Sequence, residues 1–214
     1  MYIFRLENIV NGNNHVIGYE LLSKPLNTYG KSIEKHFAEL SDLEQIRLLL
    51  LQIEYLKKYN DITLSININL SSFYNQKFVD VLEKEFYQLK KENRLIICLE
   101  LSENNLGSIF DDYIIEVVKY FRTLSFNFWI DDFGTGESNF IFLMKTLHLI
   151  DTIKIDKFVF WELFKNGPNL LYNLIEYITK KNKDVIIEGI ETVEQHALLK
   201  VNSRLFGQGY FYQT

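Results

Sequence analysis

Hydrophobic and polar positions follow two different periods along this chain. Over residues 62–71, Ile62, Leu64, Ile66, Ile68 and Leu70 share one face of an extended segment, and Ser65, Asn67 and Asn69 share the other. In 152–156, Ile153 and Ile155 oppose Thr152, Lys154 and Asp156. Leu48, Leu51, Gln52, Tyr55 and Leu56 have helical spacing instead, as do Val79, Leu82, Phe86 and Leu89. The same criteria predict strands over 16–22, 62–70, 94–101, 126–131, 152–156, 184–188 and 205–207. They predict helices over 43–58, 76–91, 109–124, 141–147, 160–180 and 193–201. Residues 2–10 can pair with 16–22 as a hairpin, because Asn11-Gly12-Asn13-Asn14 favours a tight turn.

Repeating β-α units mean a parallel sheet, open or closed. The last polar residues of the strands are Glu20, Asn69, Glu100, Asp131, Lys154 and Glu188, with Gln208 just after the final strand. They recur at intervals of 49, 31, 31, 23, 34 and 20 residues, against roughly 30 for one β-α unit. In a β/α barrel such strand ends meet at one mouth, with aliphatic faces under the helices and polar faces pointing inward.

Composition bounds the reading. The 214 residues suit one domain over 1–214, and 47% hydrophobic content supplies a core. A net charge of -5 argues against direct nucleic-acid binding, which asks for a basic face. Cys98, the single cysteine, lies in an apolar run and reads as a buried small residue, so no disulfide forms within one chain. No secretory signal or long apolar span is visible, and a soluble, cytoplasmic setting without a membrane partner is expected.

The sharpest local feature is Asp131-Asp132-Phe133-Gly134-Thr135-Gly136, which puts two adjacent carboxylates at the end of an apolar strand. Neighbouring anions need a cation, a proton or a hydrogen-bond network to offset them. Glu20, Asn69, Glu100 and Asp131 offer oxygen ligands for a hard cation, Mg²⁺ or Mn²⁺. Asp132 and Glu188 suit a second cation, with Asp131 bridging. Two such ions activate water and stabilise the leaving oxygen in phosphoester cleavage. Lys154 is costly to bury alone but reasonable among carboxylates, where it can orient the water or neutralise phosphate charge. Taken singly, an acid at a strand end is usually a helix cap, and Gly134-Thr135-Gly136 is a common kind of turn.

Together these residues resemble the EAL domain, the bacterial phosphodiesterase of cyclic di-GMP. The matching motifs run in order: Glu20-Leu21-Leu22, Asn69-Leu70-Ser71, Glu100-Leu101-Ser102-Glu103, the Asp131–Gly136 loop, Lys154-Ile155-Asp156, Glu188-Gly189-Ile190-Glu191-Thr192 and Gln208-Gly209-Tyr210. The resemblance implies an α/β fold, a modified TIM-like (β/α) barrel whose first strand is antiparallel. It implies hydrolysis of cyclic di-GMP to linear pGpG with two Mg²⁺ or Mn²⁺ ions. Glu20, Asn69, Glu100 and Asp131 would hold the first ion, and Asp131, Asp132 and Glu188 the second. Lys154 would contact the nucleophilic water, Glu103 would brace the loop after Asp132, and Leu22, Lys24 and Gln208 would meet substrate. A homodimer and a regulatory protein partner are the associations it suggests. The alternative is a catalytically weak or inactive member that serves as a protein-binding regulator or a cyclic di-GMP receptor.

The chain departs from the family pattern at several points. Lys24 stands where an Arg is usual, keeping the charge but losing the bidentate fork. Glu7-Asn8-Ile9 replaces Gln-Pro-Ile, and Glu137-Ser138-Asn139 replaces Tyr-Ser-Ser. Two extra residues separate Asp132 from Lys154. The family continues into a further helix after Gln-Gly-Tyr, whereas this sequence stops at Thr214. A last strand left exposed, unless a partner covers it, is the expectation that follows.

Overall fold

The computed structural model describes residues 1–102, 111–135, 143–144 and 146–212, apart from the side chains of Glu34 and Ser102. Eight strands close into a barrel in chain order. They are β1 Tyr2–Asn11, β2 Val16–Pro25, β3 Thr63–Ile68, β4 Ile96–Ser102, β5 Asn127–Phe133, β6 Thr152–Ile155, β7 Asp184–Ile187 and β8 Leu205–Gly207. β1 is antiparallel to both its neighbours, β2 and β8, and all other neighbouring pairs are parallel. The modified barrel with its reversed first strand is therefore the observed fold.

The turn chemistry explains the reversal. Asn11 Oδ1 accepts from the backbone N–H of Asn13 and of His15, and Asn14 takes φ 62°, so β1 folds straight back onto β2. The later strands are joined through helices, which is what parallel neighbours need. One predicted element is corrected. The helix expected over 160–180 is two helices, Lys157–Asn166 and Pro168–Lys180. Proline has no N–H to donate and clashes with the preceding turn, so it opens a helix at its first position rather than continuing one. The stretch between β2 and β3 also holds a helix the periodicity did not predict, Ile33–Ala38, capped by Ser32 Oγ. Of the helix predicted over 141–147, residues 141, 142 and 145 lie outside the described residues, and Leu143, Met144 and Thr146 are helical.

Outward-facing aliphatics such as Leu64, Ile66, Ile97, Leu99, Ile130 and Ile153 are fully buried under the surrounding helices. A separate cluster fills the barrel interior: Ile9, Cys98, Trp129 and Ile186, with Phe206 against it. Cys98, Trp129, Ile186 and Phe206 each precede a polar residue of the mouth by two positions: Glu100, Asp131, Glu188 and Gln208. On the antiparallel β1 the order inverts, and Ile9 follows Glu7. Period-two alternation thus lays an apolar floor directly beneath a polar layer. Burial pushes the Cys98 thiol well up, so it is inert packing within that floor.

The last strand is not left open. β8 pairs with β7 on one edge and with β1 on the other, through Val10↔Gly207 and Asn11↔Phe206. Closure of the barrel, rather than an added helix, satisfies its edges. Among the described residues no helix is long and apolar enough to cross a membrane.

Candidate functional site

At the C-terminal ends of the parallel strands, four carboxylates surround one ammonium. Lys154 Nζ lies 3.1 Å from Glu20 Oε2, 2.9 Å from Glu100 Oε2, 2.8 Å from Asp131 Oδ1 and 2.8 Å from Glu188 Oε1. Lys154 is 1% exposed and Glu100 is fully buried, so neither charge could persist there without the others. Burial opposes the charged lysine, but the four acids outweigh it and hold its pKa well above the ordinary value.

The carboxylates do not share this support equally. Burial would raise Glu20, yet Lys154 and hydrogen bonds from Gln208 Nε2 at 2.7 Å and Asn67 Nδ2 at 3.1 Å hold its pKa below the usual range. Burial and the neighbouring Glu20 charge push Glu100 well up. Glu188 is pushed to about 8, by burial first and by Asp131 against the pull of Lys154. Asp132 rises to about 6, again through burial and then the adjacent Asp131 charge. The site therefore carries more acid than one lysine neutralises. Glu100 Oε1 is buried with no hydrogen-bond partner among the described residues, and the buried Asp131 Oδ1 has only its ion pair with Lys154. Orphaned, buried carboxylate oxygens are what a hard cation would ligate.

Asp131 and Asp132 both reach this cavity because β5 is irregular. Ile130 pairs with Ile153 and Phe133 with Ile155, leaving two residues on β5 opposite one on β6. Asp132 adopts φ 55°, a left-handed conformation that Asp tolerates better than most residues. A regular strand would send the two side chains to opposite faces, and the bulge re-aims them together. Asp131, Asp132 and Glu188 each offer an oxygen, all within 4.8 Å of one another. That trio suits one cation, and Glu20, Glu100 and Asp131 lie around the adjoining position.

The remaining sequence candidates sit as follows. Leu22 and Gln208 line the cavity. Asn69 caps the short helix after β3, its Oδ1 accepting from Ser71 N at 3.2 Å and Ser71 Oγ at 2.9 Å. Lys24 is exposed near the end of β2, outside the cavity lining. Glu103 and the 137–139 segment lie outside the described residues.

Several lining residues were not singled out as ligands from the sequence: Arg5, Glu7, Lys157, Trp161 and Glu191. The signal for Arg5 and Glu7 was available in the hairpin. Once β1 pairs with β2, the register Arg5↔Leu22 and Glu7↔Glu20 puts both on the inner face. Trp161 had no comparable signal. It is fixed because Gly189 turns at φ 71° and its carbonyl accepts from Trp161 Nε1 at 2.7 Å. A Cβ at Gly189 would run into Lys157.

Comparison with known proteins gives a consistent picture. The profile of the EAL domain matches residues 7–214. Among curated proteins, the "Probable cyclic di-GMP phosphodiesterase PdeB" of Escherichia coli (strain K12) is 26% identical over 212 residues, covering 94% of this chain and 40% of that protein. The "Cyclic di-GMP phosphodiesterase PdeL" of the same organism is 28% identical over 182 residues, covering 79% and 46%. The chain thus spans less than half the length of these relatives. Among solved structures, the EAL enzyme Bd1971 in its cGMP-bound form superposes with TM-score 0.74 at 26% identity, covering 100% of this chain and 61% of that one. The Klebsiella pneumoniae BlrP1 complex with manganese and cyclic di-GMP shares the fold at TM-score 0.72 and 23% identity, over 98% and 55%.

Proposed function

The chain belongs to the EAL-domain family, and from that premise we propose that it hydrolyses cyclic di-GMP to linear pGpG with two divalent cations, Mg²⁺ or Mn²⁺. The observation that carries this reading is the convergence of Glu20, Glu100, Asp131 and Glu188 on one point from four different strands or strand ends, marked by Lys154 Nζ. Homologous structures holding manganese or calcium with cyclic di-GMP support it.

Glu20, Asn69, Glu100 and Asp131 would hold one cation, and Asp131, Asp132 and Glu188 the other. When bound, the pair supplies a lowered water pKa and charge stabilisation at the phosphoryl oxygens. Lys154 donates toward the nucleophilic water and fixes its lone pair on the phosphorus. The phosphorus–oxygen bond to the 3′ carbon breaks, leaving a 5′-phosphate on one end of pGpG and a 3′-hydroxyl on the other. Gln208 holds Glu20 in its ligating orientation through the 2.7 Å hydrogen bond. Leu22 lines the β2 wall, where substrate would rest, Lys24 would meet it from farther out on the same strand, and Glu103 would support the loop beyond Asp132.

Incubation with cyclic di-GMP and Mg²⁺ or Mn²⁺, followed by chromatography, should yield pGpG, and Asp131→Asn should abolish it. Tight binding of the dinucleotide with no turnover under either metal would favour a receptor instead. A protein partner captured equally by the Asp131→Asn, Asp132→Asn double variant would favour a regulatory role.

A further inference from the structure

The mouth of the cavity is strongly acidic for a site that takes an anion. Six carboxylates line it among the described residues, against the three cations Arg5, Lys154 and Lys157. Lys154 lies below the mouth, 1% exposed among four carboxylates, at the level of the phosphate that is cut. Lys157 places its ammonium 4.9 Å from the centroid of the Phe158 ring, a side chain outside the lining. Arg5 remains. It is the one arginine in the lining among the described residues, and its side chain is 66% exposed.

Its position follows from register. Arg5 stands opposite Leu22, one alternation beyond the Glu7–Glu20 pair. Two residues of strand rise about 6.6 Å, so Arg5 projects from the wall one step above the acidic floor. Among the described residues its ion pair is one long, exposed contact of 3.5 Å to Glu7 Oε2, a weak tether. Lys24 lies a further alternation outward and opposite Ile3, at the rim.

We propose that Arg5 binds the phosphate of the cyclic dinucleotide that is not cut, forming from β1 the bidentate contact for which β2 offers only a lysine. This rests on the phosphodiesterase reading above. The two phosphates of the ring are held apart by the intervening ribose, so a ligand with one phosphate over the acidic layer can present the other to the wall above it, where Arg5 projects. A guanidinium presents two parallel N–H donors to a phosphate, and an ammonium presents a single point charge.

The test is equilibrium binding of cyclic di-GMP to the full chain in Ca²⁺, at several salt concentrations, with Arg5→Gln, Arg5→Lys and, as a distant charge control, Lys119→Gln. Arg5→Gln should raise Kd about tenfold and weaken the dependence of Kd on salt, because one screened charge pair is lost. Arg5→Lys should recover part of the affinity and the salt slope, and Lys119→Gln should match wild type. In turnover with Mn²⁺, Arg5→Gln should raise KM with kcat changed less than about twofold. If wild type binds cyclic di-GMP and Arg5→Gln binds equally well, or loses affinity without any change in salt slope, the Arg5 assignment is wrong and the phosphodiesterase reading stands. If wild type neither binds nor hydrolyses cyclic di-GMP, both fail together.

Discussion

Lys154 Nζ and Asp131 Oδ1 are 2.8 Å apart, a close ion pair at the point where two proposed cation positions adjoin. The lysine is the internal counter-charge of the acidic layer. Removing it leaves several buried carboxylates with nothing opposite them.

Lys154→Met should therefore destabilise the metal-free protein by about 3–5 kcal/mol, the usual result of stripping one partner from a buried charge cluster. Chemical denaturation with and without Mn²⁺ measures it. The metal should restore much of the loss, because it supplies the missing positive charge, while turnover stays absent. Equal stability of variant and wild type without metal would show that the acids are protonated rather than paired.

Asp132 tests the bulge. Asp132→Asn keeps a side chain that tolerates φ 55° and should fold within about 1 kcal/mol of wild type, yet lose at least 100-fold in kcat with one ligand of the second cation weakened. Asp132→Val adds a β-branched side chain at the same dihedral and should cost about 1–3 kcal/mol besides. Thermal unfolding set beside single-turnover rates separates the two effects.

Cation affinity should depend steeply on pH. In the metal-free protein Glu188 holds its proton up to about 8, and Asp132 up to about 6. Between these values a cation must displace the proton of Glu188, and that of Glu100 where it is held, so its apparent affinity should rise by at least about tenfold per pH unit. The stability sign follows from the same groups. Glu188 is raised above its ordinary 4.5, so its contribution is complete below 4.5 and disappears as pH rises through about 8. Glu20 is shifted the other way, and its window lies below 4.5. Calorimetric scans should show the Mn²⁺-induced gain in Tm growing from pH 6 to pH 8.5, and a flat gain would contradict these assignments.

Glu7 faces Glu20 across the β1–β2 pair and shares the cavity lining with Arg5. Glu7→Gln removes one anion beside the substrate path and the carboxylate nearest Arg5. Binding of cyclic di-GMP in Ca²⁺ should tighten about threefold, in keeping with an exposed ion pair. Weaker binding would mean that Glu7 itself accepts a hydrogen bond from the ligand.

Repeating β-α units were legible in the residues alone, and closure into a barrel with a reversed first strand was implied by the resemblance that the motifs carry. Alternation in 62–71 and 152–156 set which faces point inward, and the recurrence of polar residues picked out Glu20, Glu100, Asp131, Lys154 and Glu188, which meet at one point. These are local, periodic properties, and periodicity survives in one dimension. Pro168 is equally visible, and it divides the helix where the apolar stripe runs on. The rest depends on neighbours distant in the chain. The bulge that turns Asp131 and Asp132 the same way arises from pairing with β6. The four partners of Lys154 come from β2, β4, β5 and the end of β7. Arg5 became a candidate once antiparallel register set it beside Leu22. Each depends on which strands lie side by side and in what register, and barrel closure fixes that through contacts between distant parts of the chain, as between Gln208 and Glu20, 188 residues apart.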